Sequence, residues 1–238
     1  MVTSQPPVVA GLDGIQERMA AVDSETTVVL EKARLGGHFT MPPDASGIVV
    51  FAHGSGSSRH SPGTRYVAGL LHEAALGTLL FDLLMPKEEI DRSNVFNIDL
   101  LASRLLAVIG WLRQQPAAAD LPVGLYGVCT GGAAALSAAT DPAADVAAVV
   151  CRCGRPDLAG PRLDQVTAPT LFVVGGLDDA VLTLTRTAQA GMRCPNDLAV
   201  VPGATHRFEE PGTLRAAAER TADWFNDNLL AHQHTPGR

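Results

Sequence analysis

The sequence predicts an α/β fold: a mostly parallel sheet of about seven to eight strands, helices on both faces, and no large cap domain. Three observations predict it. Short apolar runs alternate with stretches of helical periodicity along the chain. Several of those runs are apolar without a break, as strands buried on both faces must be. The residues that carry chemistry fall just past the ends of the runs, where parallel sheets place their sites. A chain of 238 residues is enough for one such domain with a sizeable core. Residues 23–231 are expected to form the domain. Residues 1–22 read as an N-terminal extension and 232–238 as a flexible tail, both polar or rich in Pro and Gly.

Residues 26–31 and 38–42 bracket Gly36-Gly37 and read as an antiparallel hairpin turning at those glycines. Residues 47–52 form a buried strand, 64–75 a helix and 78–82 the next strand. In 95–114, Ile98, Leu101, Leu105, Val108 and Leu112 recur at spacings of three and four, which marks an amphipathic helix. A strand at 122–126 leads into an Ala-rich helix at 133–139. Strands follow at 145–151, 170–174 and 198–201, with helices at 180–191 and 213–230. Residues 152–167 are too few to hold a helical cap, so 83–94 is the expected partial cover of the site.

Composition excludes several function classes. Hydrophobic residues make up 46% of the chain and charged residues 18%, a globular mixture. The net charge is −7 with no clustered basic face, which argues against nucleic acid and anionic membranes as partners. No apolar run approaches the ~18–20 residues that span a bilayer, and the first residues lack the pattern of a secretory signal. The four cysteines (129, 151, 153, 194) are too few for a disulfide scaffold, so a reducing cytoplasm is the expected compartment. Lys32 and Lys87 are the only lysines. The other basic side chains are arginines, suited to planar, bidentate contacts with carboxylates.

The chemical signal centres on Gly127-Val128-Cys129-Thr130-Gly131, between a strand and a helix. This is the strand–turn–helix elbow G-x-S-x-G with cysteine at the nucleophile position. Side chains at 127 and 131 would collide with neighbouring backbone. The helix N-terminus beneath the thiol is expected to lower its pKa. A thiol nucleophile needs an imidazole, and His206 follows the strand 198–201 in a loop before the last helix. Asp178, in the turn Gly175-Gly176-Leu177-Asp178, is the expected orienting carboxylate, with Asp179 capping the next helix. The order nucleophile, acid, histidine is that of the strand–helix hydrolases. The Gly-rich run His53-Gly54-Ser55-Gly56 supplies a second oxyanion donor, the amide of Ser55, to partner that of Thr130. Arg59 and His60 continue that loop and Arg152 ends the strand 145–151. These three are candidates for gripping a substrate carboxylate. The competing reading has the arginines tie loops together through Asp82, Asp91 or Asp157.

Residues 53–56, 127–131, 175–178 and 203–206 together resemble the α/β-hydrolase superfamily in its dienelactone hydrolase-like branch, over roughly residues 26–230. The resemblance implies an α/β-hydrolase fold and a Cys-His-Asp triad that opens a small ester or lactone, with no metal or organic cofactor. Dienelactone hydrolases carry a glutamate after the third strand that interacts with the resting thiol, and Gly54 stands at that point here. Residues 53–62 and 152–160 also resemble a group of bacterial relatives whose nucleophile is serine.

The expected function is therefore hydrolysis of a small carboxylic ester or lactone through a thioester on Cys129. Two alternatives share the fold: acyl transfer to another acceptor, and a hydrolase fold kept only for binding. A remote third is a thiol metal or redox site drawn from Cys129, Cys151, Cys153 and His206, disfavoured because Cys151 and Cys153 are expected to face apart. A homodimer is left open.

Overall fold

A computed structural model describes residues 21–54 and 57–233. Eight strands form one sheet: β1 (Val22–Val29), β2 (Arg34–Met41), β3 (Ile48–Ala52), β4 (Gly77–Phe81), β5 (Val123–Val128), β6 (Val146–Arg152), β7 (Thr170–Gly175) and β8 (Asn196–Val201). Their order in the sheet is β1-β2-β4-β3-β5-β6-β7-β8. The β1–β2 and β2–β4 pairs are antiparallel and the rest parallel. The alternating pattern predicts a mostly parallel sheet of this kind, and its arrangement is the α/β-hydrolase fold that the resemblance implies. β3, β4 and β7 are buried at every residue, which accounts for their unbroken apolar sequences.

Helices α1 (Pro62–Glu73), α2 (Pro86–Glu89), α3 (Ile98–Leu112), α4 (Thr130–Ala138), α5 (Asp179–Gly191) and α6 (Thr213–Gln233) connect the strands. Each sheet face has its own apolar layer. On one, Leu105 and Val108 of α3 and Leu136 of α4 pack with Val50 and Leu125. On the other, Val67 and Leu71 of α1 and Phe225 and Leu229 of α6 pack with Val49, Phe51 and Tyr126. Each fully buried Leu or Phe contributes about 1.5–3 kcal/mol. α3 starts where Asn97 accepts a hydrogen bond from the Leu100 amide at 3.1 Å. Between β6 and β7 stands a ten-residue stretch of 3₁₀ turns, Pro156–Gln165, and no cap domain. The segment after β4 forms α2 and a 3₁₀ turn (Arg92–Phe96). It is fastened by Glu88, which accepts from the Met85 amide and from Arg104 of α3, each at 2.8 Å.

The hairpin turn lies elsewhere than expected. It falls at residues 30–33, closed by the Leu30 amide donating to Ala33 O at 2.8 Å. Gly36 and Gly37 lie inside β2. Their small size serves packing: a Cβ on Gly36 would sit 2.8 Å from Arg59 Nη1. Among the described residues, no helix is long and apolar enough to cross a membrane.

Arg59 leads into a polar tie that joins β1 to the segments after β3 and β4. Its guanidinium pairs closely with Asp82 and more loosely with Glu25 at 3.7 Å. His53 Nε2 stands 3.4 Å from the other Asp82 oxygen. Burial pushes the Asp82 carboxyl up, but His53 and Arg59 outweigh burial and hold it below the ordinary carboxylate value. A depressed folded value stabilises the fold fully above the unfolded pKa, and this contribution disappears as pH falls through the folded one. Asp82→Asn is therefore expected to cost roughly 1–3 kcal/mol at neutral pH. Urea midpoints measured from neutral pH into acid should converge for the two proteins at the acid end. A gap that stays constant with pH would overturn this account.

Candidate active site

The elbow forms where β5 meets α4. Cys129 is the N-cap of α4 at φ 53°, ψ −123°, a region that side chains rarely occupy, and its side chain caps nothing. Strain of this kind costs about 1–3 kcal/mol and persists only where its surroundings enforce it. The glycines let the surroundings close in. A Cβ on Gly131 would run into the carbonyl of Ala52, and one on Gly127 would sit 2.5 Å from Gly132 Cα. Gly54 is packed as tightly, with a Cβ there 2.7 Å from Cys129 Cβ and 3.0 Å from the Thr130 nitrogen. A glutamate therefore has no room at position 54.

Two loops bring the partners. β7 ends in a turn closed by the Asp178 amide donating to Gly175 O at 3.0 Å. β8 ends in the loop that carries His206. The loops abut, since a Cβ on Gly175 would lie 2.5 Å from Ala204 O. His206 Nδ1 is 2.6 Å from Asp178 Oδ2, and His206 Nε2 is 3.6 Å from Cys129 Sγ. The three sequence-predicted residues thus form one connected row. Asp178 also caps α5, accepting from the Val181 amide through Oδ1 at 3.4 Å. The capping role expected of Asp179 belongs to Asp178, because a single N-cap carboxylate can serve the helix with one oxygen and the imidazole with the other.

The electrostatics differ from the sequence expectation. Burial pushes the Cys129 thiol up. Arg152 opposes that rise and the Asp178 charge adds to it. The helix N-terminus does not bring the thiol below its ordinary value, because burial outweighs it.

The remaining candidates separate. Thr130 is the first residue of α4, so its amide has no intrahelical acceptor and faces the elbow. Ser55 lies outside the described residues. Arg59 is engaged by Asp82 and Glu25. His60 is exposed and meets Arg65 at 3.0 Å. Arg152 is only 9% exposed, its Nε has no hydrogen-bond partner among the described residues, and its guanidinium lies 5.3 Å from the centre of the Phe208 ring. Arg155 pairs with Asp157.

Sequence reading missed Phe208, and it named Cys153 only for the remote metal-site alternative, without Asp178. Phe208, two residues after His206, is buried at φ 58° against Arg152. Cys153 stands behind the histidine–aspartate pair, and the ligand atoms of Cys153, Asp178 and His206 all lie within 4.8 Å of one another. Cys151 and Cys153 do face different layers. Strand alternation is not the reason, because residues two apart on a regular strand share a face. β6 ends at Arg152, and Cys153 turns away at φ 41°. The adjacency of β6 and β7 was the available signal, since it puts the residue after β6 beside the loop that bears Asp178.

A sequence profile of the dienelactone hydrolase family matches residues 90–231. The chain belongs to the dienelactone hydrolase family. It is similar to the crystal structure of a dienelactone hydrolase from Anabaena variabilis, at 46% identity and TM-score 0.85, over 88% of this chain and 99% of that one. Two Mycobacterium tuberculosis proteins, from strains CDC 1551 and H37Rv, are 58% identical over 207 residues, and each is named a putative phosphoribosyl transferase. The match takes in 87% of this chain and 47% of theirs, so the chain spans about half the length of these curated relatives. A Bradyrhizobium protein named a probable 2-oxo-3-(5-oxofuran-2-ylidene)propanoate lactonase is 28% identical over 192 residues, 71% of this chain and 77% of that protein.

A raised thiol is less thiolate at neutral pH, and its alkylation must rise as pH rises. The rate of Cys129 modification by iodoacetamide, followed by mass spectrometry, should climb steadily to above pH ~8.5. A plateau beginning near pH 6 would reveal a preformed thiolate–imidazolium pair instead.

Proposed function

We propose that the hydrolase cleaves a small carboxylic ester or lactone by acyl transfer to Cys129. The observation that carries this reading is the row Sγ–Nε2 at 3.6 Å and Nδ1–Oδ2 at 2.6 Å, mounted on a strained elbow beside the free amide of Thr130.

The chemistry follows from that row. As the Cys129 sulfur attacks the carbonyl carbon, its proton passes to His206 Nε2. Asp178 accepts from Nδ1–H, which keeps the Nε2 lone pair on sulfur and offsets the imidazolium charge that develops. The Thr130 amide holds the oxyanion, with Ser55 as the second donor in this reading. The C–O bond breaks and His206 gives its proton to the leaving oxygen. In a lactone that oxygen stays attached to the acyl chain. Water then attacks the thioester, passing one proton to His206 and its hydroxyl to the acyl carbon, and the thiol departs and regains the proton. The route calls for no metal or organic cofactor.

Arg152 supports an anionic substrate. A buried guanidinium whose Nε has no partner among the described residues favours a carboxylate, through charge-assisted hydrogen bonds. The name of the Bradyrhizobium relative, a lactonase of a propanoate, is in keeping with that. The four thiols, all free, suit a reducing cytoplasm. The mycobacterial name describes proteins of which this chain matches less than half, and the thiol, imidazole and carboxylate assembled here are the parts of acyl transfer.

Intact-mass spectrometry after rapid mixing with an ester and lactone panel is expected to show one acyl adduct, absent in Cys129→Ala. His206→Ala should lower kcat by about 10²–10⁴-fold. Turnover undiminished in Cys129→Ala would sink the mechanism. A second measurement concerns charge: Arg152→Met should raise KM about 10–100-fold for carboxylate-bearing esters and leave neutral esters of the same size little changed. Equal losses on both would remove Arg152 from substrate recognition.

A further inference from the structure

We propose that Cys153, Asp178 and His206 form a binding site for one thiophilic divalent cation, such as zinc, whose occupation disables the thiol–imidazole pair. Their ligand atoms already lie within 4.8 Å of one another. Zinc–ligand distances of about 2.0–2.3 Å put the donors of a tetrahedral site about 3.3–3.8 Å apart, so the outermost donors must close by roughly an ångström, while the imidazole and carboxylate, 2.6 Å apart in their hydrogen bond, must part to admit the ion. The backbone under Cys153 is fixed, with its amide donating to Val173 O at 2.9 Å. His206 is about half exposed and gives an ion a way in.

The donor set selects the ion. One sulfur, one imidazole nitrogen and one carboxylate oxygen suit zinc, cadmium or cobalt, whereas magnesium and calcium prefer all-oxygen shells. Binding deprotonates the Cys153 thiol and releases that proton to solvent. It also occupies an imidazole nitrogen and draws Asp178 onto the ion, so His206 loses the orientation that catalysis needs. Cys151 takes no part, because it packs in the opposite layer. The disabling effect rests on the hydrolase reading; the binding itself does not.

The test is titration of the metal-free protein with cadmium and cobalt, following the ultraviolet thiolate-to-metal charge-transfer band. One equivalent should saturate the wild type. The band should persist in Cys129→Ala and be lost or weakened at least about tenfold in Cys153→Ser. Near-ultraviolet circular dichroism checks the fold of Cys153→Ser, and Cys153→Ala serves as a second variant. Excess magnesium should leave the band unchanged. A band lost in Cys129→Ala but kept in Cys153→Ser, or no band at all, would overturn the proposal. Zinc should also stop ester turnover, reversibly on adding a chelator, and stop it less in Cys153→Ser. If the band behaves as expected while metal-free protein turns over no ester, the hydrolase reading fails and the cation site stands.

Discussion

The site depends on how closely three stretches of backbone approach one another at the tip of β5. Cys129 holds a positive φ that a free chain would abandon. It stays there because β5, α4 and the segment after β3 leave no other path, and Gly54, Gly127 and Gly131 remove the atoms that would keep them apart. The packing of the apolar layers serves this closeness. Tyr126, one residue before Gly127, is fully buried against Phe51 at a ring separation of 4.8 Å, which fixes β5 relative to β3 just below the elbow. Strain at the thiol is thus held by burial several residues away.

The second half of the site is set by sheet order. β7 and β8 are neighbours, so the acid loop and the histidine loop meet without any long excursion of chain. Asp178 is held twice, once by α5 and once by the imidazole, so one side chain fixes the relation between a helix start and a catalytic-type histidine. Glu210 adds a further hold on the histidine loop by accepting from the Thr205 amide at 3.1 Å. Arg152 and Phe208 close the loop from beneath.

Much of this was legible in the sequence, and what was not has physical reasons. Apolar runs and periodicity give away strands and helices because burial is repetitive. The row Cys129, Asp178, His206 is legible because each residue follows its own strand. The hairpin turn was misplaced because Gly36-Gly37 is ordinarily a turn signal, and only the Arg59 side chain, distant in sequence, shows why glycine is needed inside a strand. The sequence offered Asp82, Asp91 and Asp157 as partners for the arginines without assigning them, and Arg59 takes Asp82 because the β3–β4 pairing brings their two loops together. The thiol's rise was hidden because a helix N-terminus can be read from sequence, whereas depth of burial cannot. The place of Cys153 beside Asp178 was hidden because it depends on leaving strand geometry after β6.

The crowding at Gly54 bears on how the resting thiol is kept quiet. A family resemblance brings to mind a glutamate at this point, in contact with the thiol. Here a Cβ alone would meet Cys129 Cβ at 2.7 Å, so no carboxylate can occupy the position without moving the elbow. Burial supplies the same outcome by another route, since desolvation disfavours the thiolate whether or not a carboxylate stands beside it. Control by desolvation has a consequence that control by a carboxylate lacks. In the proposed reaction the cost is met only as the sulfur bonds to a carbonyl carbon, when the negative charge passes to an oxygen beside the Thr130 amide. Arg152 opposes the cost of a thiolate, and in that same reading its charge would also favour an anionic substrate. On this argument a thiol kept protonated by burial needs no residue at position 54 beyond hydrogen.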